Sequence, residues 1–322
     1  MEFGHLLCTS EGGQAPLRLC MSMSVHDEAM VTTRGRQTRQ VDGNHVLYHF
    51  LQKGLLQEDV WLFQMLTARL VASLGIWLPI ELYSKMPLLT PHAVRDNTCR
   101  KDVKAGRPEA WGSPNSKGYF RDDNSLIKGI PTALAIESRF SEYKGARIGN
   151  GFVASHVWRK TTDGDSAPRH PLTNSFVPNL VWLPTQVAKL SDREGSFVQT
   201  YLQAISKKIY RVAAVSIHQE GTVGDAWALL PDPSGIPLQG LPRIDDLNFF
   251  EYTQDFFISR LRSIRKVQEL IASACRSEPG PKVSKRYNEG LMLMAASQLE
   301  PLNEFLESYL NGLEAEYAQL LH

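Results

Sequence analysis

Phe152-Val-Ala-Ser-His-Val-Trp-Arg-Lys160 and Asn174-Ser-Phe-Val-Pro-Asn-Leu-Val-Trp-Leu-Pro184, the second running directly into Thr185 to Asp192, decide how this chain is read. The first piece is rich in β-branched and aromatic residues, which suit a pleated, half-buried surface. It ends where Lys160 to Thr173 turns polar, with Gly164 and Pro168 as breakers. Leu180-Val-Trp-Leu183 is a short apolar run closed by Pro184. The segment from Ala146 to Asp192 is therefore predicted as strand, turn and strand followed by helix. Ser191-Asp-Arg-Glu194 has the form of a capping box and predicts a helix through about Arg211, with Phe197, Tyr201, Ile205 and Ile209 on one stripe. A further strand signal covers Val212 to His218.

Outward from this centre the pattern is helical. Between Asn44 and Leu74, Val46, Leu47, Phe50, Leu51, Leu55, Val60, Leu62, Phe63, Leu66, Leu70 and Val71 recur at three and four, the spacing of a buried helix face. Two helices divided near Gly54 are expected. After the Pro- and Gly-rich stretch Pro231 to Pro242, Phe257, Leu261, Ile264 and Ile271 mark one long helix. A second is expected from about Asn288 to Leu321, interrupted at Pro301. The fold class is thus α+β. The reading divides into a poorly ordered tail at 1–40, a helical and loop-rich region at 41–130, a central module at 131–218 and a helical C-terminal region at 219–322.

Composition excludes several classes. With 322 residues, 43% hydrophobic and 21% charged, the chain belongs with ordinary globular domains. Cys8, Cys20, Cys99 and Cys275 include no close pair, which excludes a zinc clip of CxxC type and argues against a disulfide scaffold. The best apolar run, Leu70 to Ile80, is short and broken by Ser73, Gly75 and Pro79, so no membrane span is expected. No secretory signal is expected either, and a cytoplasmic protein is the resulting expectation.

The central stretch resembles the HNH, or ββα-metal, nuclease module, in which a histidine ends one strand, an asparagine follows a loop and a helix comes directly after the second strand. The residues that carry the resemblance are Ser155-His156, Asn179-Leu-Val-Trp-Leu-Pro184 and the helix after them. It implies a metal-dependent endonuclease of the restriction or defence type, with His156 as general base and Asn179 holding its ring or the loop. Cutting a phosphodiester requires a water made more nucleophilic and a cation that neutralises the leaving oxygen. Neutral imidazole, with an ordinary pKa of about 6.5, can take that proton, provided a hydrogen bond at its other nitrogen fixes tautomer and angle. Asn or a backbone carbonyl can provide it.

By the same resemblance one divalent ion suffices, Mg²⁺ or Mn²⁺. Members of the family often carry Asp before the histidine and His or Asn in the helix; this chain has Ser155, Ala188 and Lys189 at those places. The ligands expected here are Ser155, Asn174, Asp163 and Asp165, with Gln186, Asp192 and His170 as further donors. Double-stranded DNA is the implied partner, and a homodimer is implied because two antiparallel strands need two active sites. The acidic C-terminal helices are the expected interface.

Net charge is +1, from 35 Lys and Arg against 34 Asp and Glu, but the basic residues are unevenly spread. Arg100, Lys101, Lys104, Lys117, Arg121, Arg159 and Lys160 form a basic stretch able to contact phosphates, with Tyr119 and Phe120 available to stack on bases. Arg262, Arg265, Lys266, Lys282, Lys285 and Arg286 form a second. A solvated basic surface is the alternative for both, core packing is the alternative for Trp158 and Trp182, and a plain turn residue is the alternative for Asn179. At the level of function the alternative is a non-catalytic nucleic-acid-binding protein on a degenerate HNH scaffold.

Overall fold

The computed structural model describes residues 57–95, 120–122, 124–233, 235–236, 240–283, 287–288, 291 and 294–320. The tail at 1–40, the helix expected upstream of Gly54, and Arg100, Lys101, Lys104, Lys117, Lys285 and Arg286 lie outside those residues.

In chain order, helix α1 (Gln57–Leu74) leads into strand β1 (Ile76–Trp77) and helix α2 (Ile80–Lys85). Strands β2 (Ala93–Arg95) and β3 (Phe120–Asp122) form a parallel pair, with Ala93 opposite Phe120. Helix α3 (Asn124–Gly129) and strand β4 (Ile136–Glu137) precede the central unit. That unit is strand β5 (Phe152–His156), helix α4 (Pro171–Asn174), strand β6 (Leu180–Pro184) and helix α5 (Thr185–Ser191). Helices α6 (Phe197–Tyr210) and α7 (Glu220–Ala228), strand β7 (Asn248–Phe250) and helices α8 (Gln254–Cys275) and α9 (Ala296–Gln319) follow.

The main sheet has five strands in the order β4-β7-β1-β6-β5. Only β1 and β7 run parallel; β5 and β6 are antiparallel from Phe152 opposite Pro184 to His156 opposite Leu180. The sequence regions 41–130, 131–218 and 219–322 each give strands to it, so the central module shares its sheet with both flanks. Asn248 explains the junction: its Nδ2 donates to Ser73 O at 2.7 Å and to Gly75 O at 3.0 Å, tying β7 to the turn before β1. Gly75 is required there by contact, since a Cβ would sit 3.1 Å from Val181 Cγ2 and 3.3 Å from Ala72 O.

Aromatic residues fill the space between sheet and helices. Tyr83 lies against Tyr210 and Phe176, and Trp227 meets both Phe176 and Trp158 edge to face at 5.4 and 5.8 Å. Such edge contacts place the positive ring edge on the negative face of the neighbour. Trp158 and Trp182 are wholly buried. Helices α8 and α9 pack along Leu261, Ile264 and Ile271 on one side and Leu302, Leu306 and Leu313 on the other, with Arg265 donating twice to Glu314 Oε1 at 2.8 and 3.0 Å.

Four local expectations are corrected. The cap of α6 is Ser196, whose Oγ accepts from Gln199 N at 3.2 Å; Ser191 instead closes α5 and donates to Ala188 O. Val212 to His218 form no strand, and Val212 and Ile217 are exposed because no neighbouring edge pairs with them. Helix α9 begins at Ala296 and runs through Pro301, which lies near its first turns on the exposed side. Its missing N–H removes one rung of the ladder, and the acceptor left over, Ser297 O, belongs to an exposed residue. In α1 the buried stripe is Met65, Ala68, Val71 and Ala72, whereas Leu62, Phe63, Leu66 and Leu70 face outward. Small residues let the helix approach α6 closely, and that contact decides which face is covered.

Leu306 is fully buried between α8 and α9, so Leu306→Ala is expected to lower unfolding free energy by about 2–5 kcal/mol. Leu66→Ala, on the exposed side of α1, is expected to change it by no more than about 0.5 kcal/mol. Urea unfolding followed by circular dichroism measures both.

Candidate active site

Between His156, the last residue of β5, and Leu180, the first of β6, the chain makes a 23-residue excursion that includes α4. Much of this excursion is buried, so its backbone groups need partners within the protein. Asn179 supplies two of them. Its Oδ1 accepts from Trp158 N at 2.6 Å and its Nδ2 donates to Thr173 O at 2.8 Å, while its own carbonyl accepts from Val157 N at 3.0 Å. Helix α6 supplies two more, Gln203 Nε2 to Val157 O at 3.2 Å and Ser206 Oγ to Pro178 O at 2.6 Å.

The His156 ring sits inside this clasp. Its Nε2 lies 2.9 Å from the backbone oxygen of Asn174. A carbonyl oxygen only accepts, so this contact assigns the ring proton to Nε2 and leaves the lone pair of a neutral imidazole on Nδ1. The histidine is 1% exposed and does not meet solvent in this conformation.

Of the two roles expected for Asn179, its side chain fills that of holding the loop; the backbone of Asn174 fills the other, orienting the ring. Asn174, expected as a metal ligand, uses Nδ2 to donate to Ala93 O at 3.0 Å, and its Oδ1 is buried with no hydrogen-bond partner among the described residues. Ser155 is buried in β5 opposite Val181. Asp163 and Asp165 sit on the exposed turn bridged by Lys160 and Ser166, away from these buried side chains. His170 Nδ1 accepts from Leu172 N and caps α4, Gln186 is exposed, and Asp192 pairs with Arg159. Among the described residues no group of three or more His, Cys, Asp and Glu is placed to hold a metal. Ser155 and Asn174 offer only neutral oxygens, so this donor set does not fit a resident divalent ion.

The basic residues divide as well. Arg159 is engaged by Asp192 and Arg265 by Glu314, whereas Lys160, Arg262 and Lys266 are exposed. Arg121 lies in β3. Because β2 and β3 pair, the stretch carrying Arg100, Lys101, Lys104 and Lys117 leaves and rejoins the described structure beside α4, at the strand whose Ala93 O receives Asn174.

Residues that the sequence reading passed over complete the surroundings. Ser175 Oγ accepts from Thr90 N at 3.0 Å, and Ser175 O accepts from Leu89 N at 3.1 Å. Tyr309 OH both donates to Leu88 O at 2.8 Å and accepts from Leu88 N at 2.9 Å. Burial drives its pKa well above the ordinary tyrosine value. His92 is buried and edge-on to Tyr287; burial, with the Arg260 charge second, lowers its pKa to about 3. Gln203 and Ser206 lie off the Phe197–Ile209 stripe of α6 and are buried because a second face of that helix packs on the loop, which helix periodicity does not signal; Tyr309 and His92 had no signal either.

No family model, curated protein or solved structure matches this chain.

Asn179→Ala leaves Trp158 N–H and Thr173 C=O unpaired in a buried place, and a loss of about 1–3 kcal/mol for each group is expected on urea unfolding. A pH dependence follows from His92. It stays neutral in the fold down to about pH 3 but takes a proton in the unfolded chain below about 6.5. The unfolded state therefore binds more protons between these values, and stability is full above about pH 6.5 and falls as pH drops toward 3. His92→Gln is expected to flatten the decline between pH 7.5 and 5; an unchanged slope removes His92 as its source.

Proposed function

We propose that the chain is an endonuclease of the HNH type, hydrolysing phosphodiester bonds of double-stranded DNA with His156 as general base. The observation that supports this reading is the position of His156 at the end of the first strand of a β5–β6–α5 unit, with Nε2 tied to a backbone carbonyl. That bond makes Nδ1 the proton-accepting atom. A water approaching Nδ1 gives its proton to that nitrogen as its oxygen attacks phosphorus; the phosphorus–oxygen bond to the leaving group breaks, that oxygen takes a proton from solvent, and the imidazolium returns its proton to solvent. Since the ring is buried, water and phosphate reach it only after the segment around it opens. The reading therefore includes a conformational step, for which the clasp residues Asn179 and Gln203 are the hinge contacts.

Support for a DNA partner comes from the sequence between β2 and β3, where Arg100, Lys101, Lys104 and Lys117 form a basic stretch. Lys and Arg there would neutralise backbone phosphates and make binding steeply salt-dependent.

A second reading, a non-catalytic nucleic-acid-binding protein on a degenerate HNH scaffold, is favoured by one specific observation: the described residues hold no converging ligand group. One experiment separates the two. Wild type and His156→Ala are incubated with phage and plasmid DNA in Mg²⁺, in Mn²⁺ and in EDTA, and run on a gel. Discrete fragments from wild type with either metal, reduced at least about a hundredfold in His156→Ala, are the expected result. Metal-dependent cutting that survives the substitution removes His156 as base. Salt-dependent binding without cutting in any buffer selects the binding scaffold.

A further inference from the structure

Two recesses among the described residues differ in how their arginines are held. In the recess of about 410 Å³ lined by Glu81, Arg139 and Asp245, Arg139 is paired with Asp246 at 2.5 Å and lies within 3.9 Å of Asp245. In the cleft of about 690 Å³ lined by Leu126, Gly129, Ile130, Arg147, Phe256 and Arg260, no carboxylate pairs with either arginine among the described residues. Among the described residues Arg260 donates from Nη2 to Leu89 O at 2.6 Å, and its buried Nε has no partner.

A guanidinium withdrawn from water without a counter-ion is unfavourable, and burial pulls the Arg260 pKa down to about 10. A cation held in this way at a cleft is a candidate binding group. The N-terminal end of α8, capped by Thr253, opens on the same cleft and adds its partial positive charge. The rest of the lining is of two kinds. Leu126, Ile130, Leu134 and Phe256 give an apolar wall, while Glu251 and Asp255 stand at the exposed side, where they accept from hydroxyl or amine donors and disfavour a second anionic group.

We propose that this cleft binds a nucleotide unit, its phosphate on Arg260 and Arg147 and its base against the apolar wall. The volume suits one such unit. Planar guanidinium groups meet phosphate oxygens in pairs, which fixes orientation as well as charge. The unit comes either as a free mononucleotide or as one residue of a single strand, and the chemistry at Arg260 is the same for both. The inference goes beyond the nuclease reading, because binding here involves neither His156 nor turnover.

The test is calorimetric titration of the full chain in EDTA with deoxyadenosine monophosphate, deoxyadenosine, inorganic phosphate and a single strand of about 12 nucleotides. Deoxyadenosine is expected to bind at least about tenfold more weakly than its monophosphate. Arg260→Gln and Gly129→Glu are each expected to weaken the monophosphate at least about tenfold. Gly129 has ordinary helical dihedrals and open space at its Cβ, so the new side chain enters the cleft without disturbing the backbone. Should Arg260→Gln fail to fold, Gly129→Glu and Arg147→Gln carry the test. A strand that binds where the monophosphate does not, and is lost with the same variants, assigns the phosphate to a strand. Equal affinity for nucleoside and nucleotide, undiminished binding in Gly129→Glu, or no binding by wild type of either monophosphate or strand overturns the proposal. His156→Ala keeps full binding if the cleft is as described, so failure of the catalytic reading leaves this result standing.

Discussion

The structure depends on satisfying the backbone of one buried excursion, the residues between His156 and Leu180. A loop in water loses nothing by leaving its amides free, but one packed under helices must find a partner for nearly every N–H and C=O. The Asn179 side chain spans two turns of that loop, the Gln203 and Ser206 side chains reach in from α6, and the His156 ring closes on Asn174 O. Removing one member leaves its partner buried and unpaired, which is more destabilising than the bond itself is stabilising. The flanks join the same loop mainly through their backbone: Leu89 N and Thr90 N donate to Ser175, Ala93 O receives Asn174 Nδ2 and Pro231 O receives Trp158 Nε1.

How much of this was legible in the sequence follows from the range of each interaction. The strands at Phe152 and Leu180 and the helix after Pro184 are set by local composition and local breakers, and all three stand where the residues place them. The cap moved from Ser191 to Ser196 because both serines satisfy the same local rule, and only the path of the chain through Gly195, at φ +70°, decides between them. Val212 to His218 has strand composition without a strand to pair with, a fact about neighbours rather than about residues. For α1, periodicity found apolar positions on nearly every side, and the choice of the Ala68–Ala72 face came from how closely α1 and α6 approach.

The candidate site was legible to the same degree. His156 and Asn179 could be picked out because strand end, loop and strand start are local features, and the structure brings both into one buried cluster. The ligand set could not, because Asp163 and Asp165 belong to an exposed turn whose separation from the histidine is a matter of tertiary packing. Nor could a sequence show that Asn174 holds the imidazole through its backbone, since any residue type offers a carbonyl there. Charge followed the same rule. Arg159 and Arg265 are basic in sequence yet paired with partners 33 and 49 positions away, whereas Arg260, unremarked in a long helix, has no carboxylate paired with it among the described residues.

The segment from Leu88 to Ala93 joins the cleft and the histidine into one unit. Arg260 donates to Leu89 O, Leu89 N donates to Ser175 O, Thr90 N donates to Ser175 Oγ, and Asn174 reaches Ala93 O with its side chain while its backbone holds His156. Tyr309 fixes Leu88 at both its N–H and its C=O, so the segment has little freedom to absorb a displacement. Two hydrogen bonds and one peptide unit therefore separate the Arg260 guanidinium from Asn174, the residue whose carbonyl holds the ring, and this polar chain is continuous because each backbone group of the buried segment needs a partner within the protein.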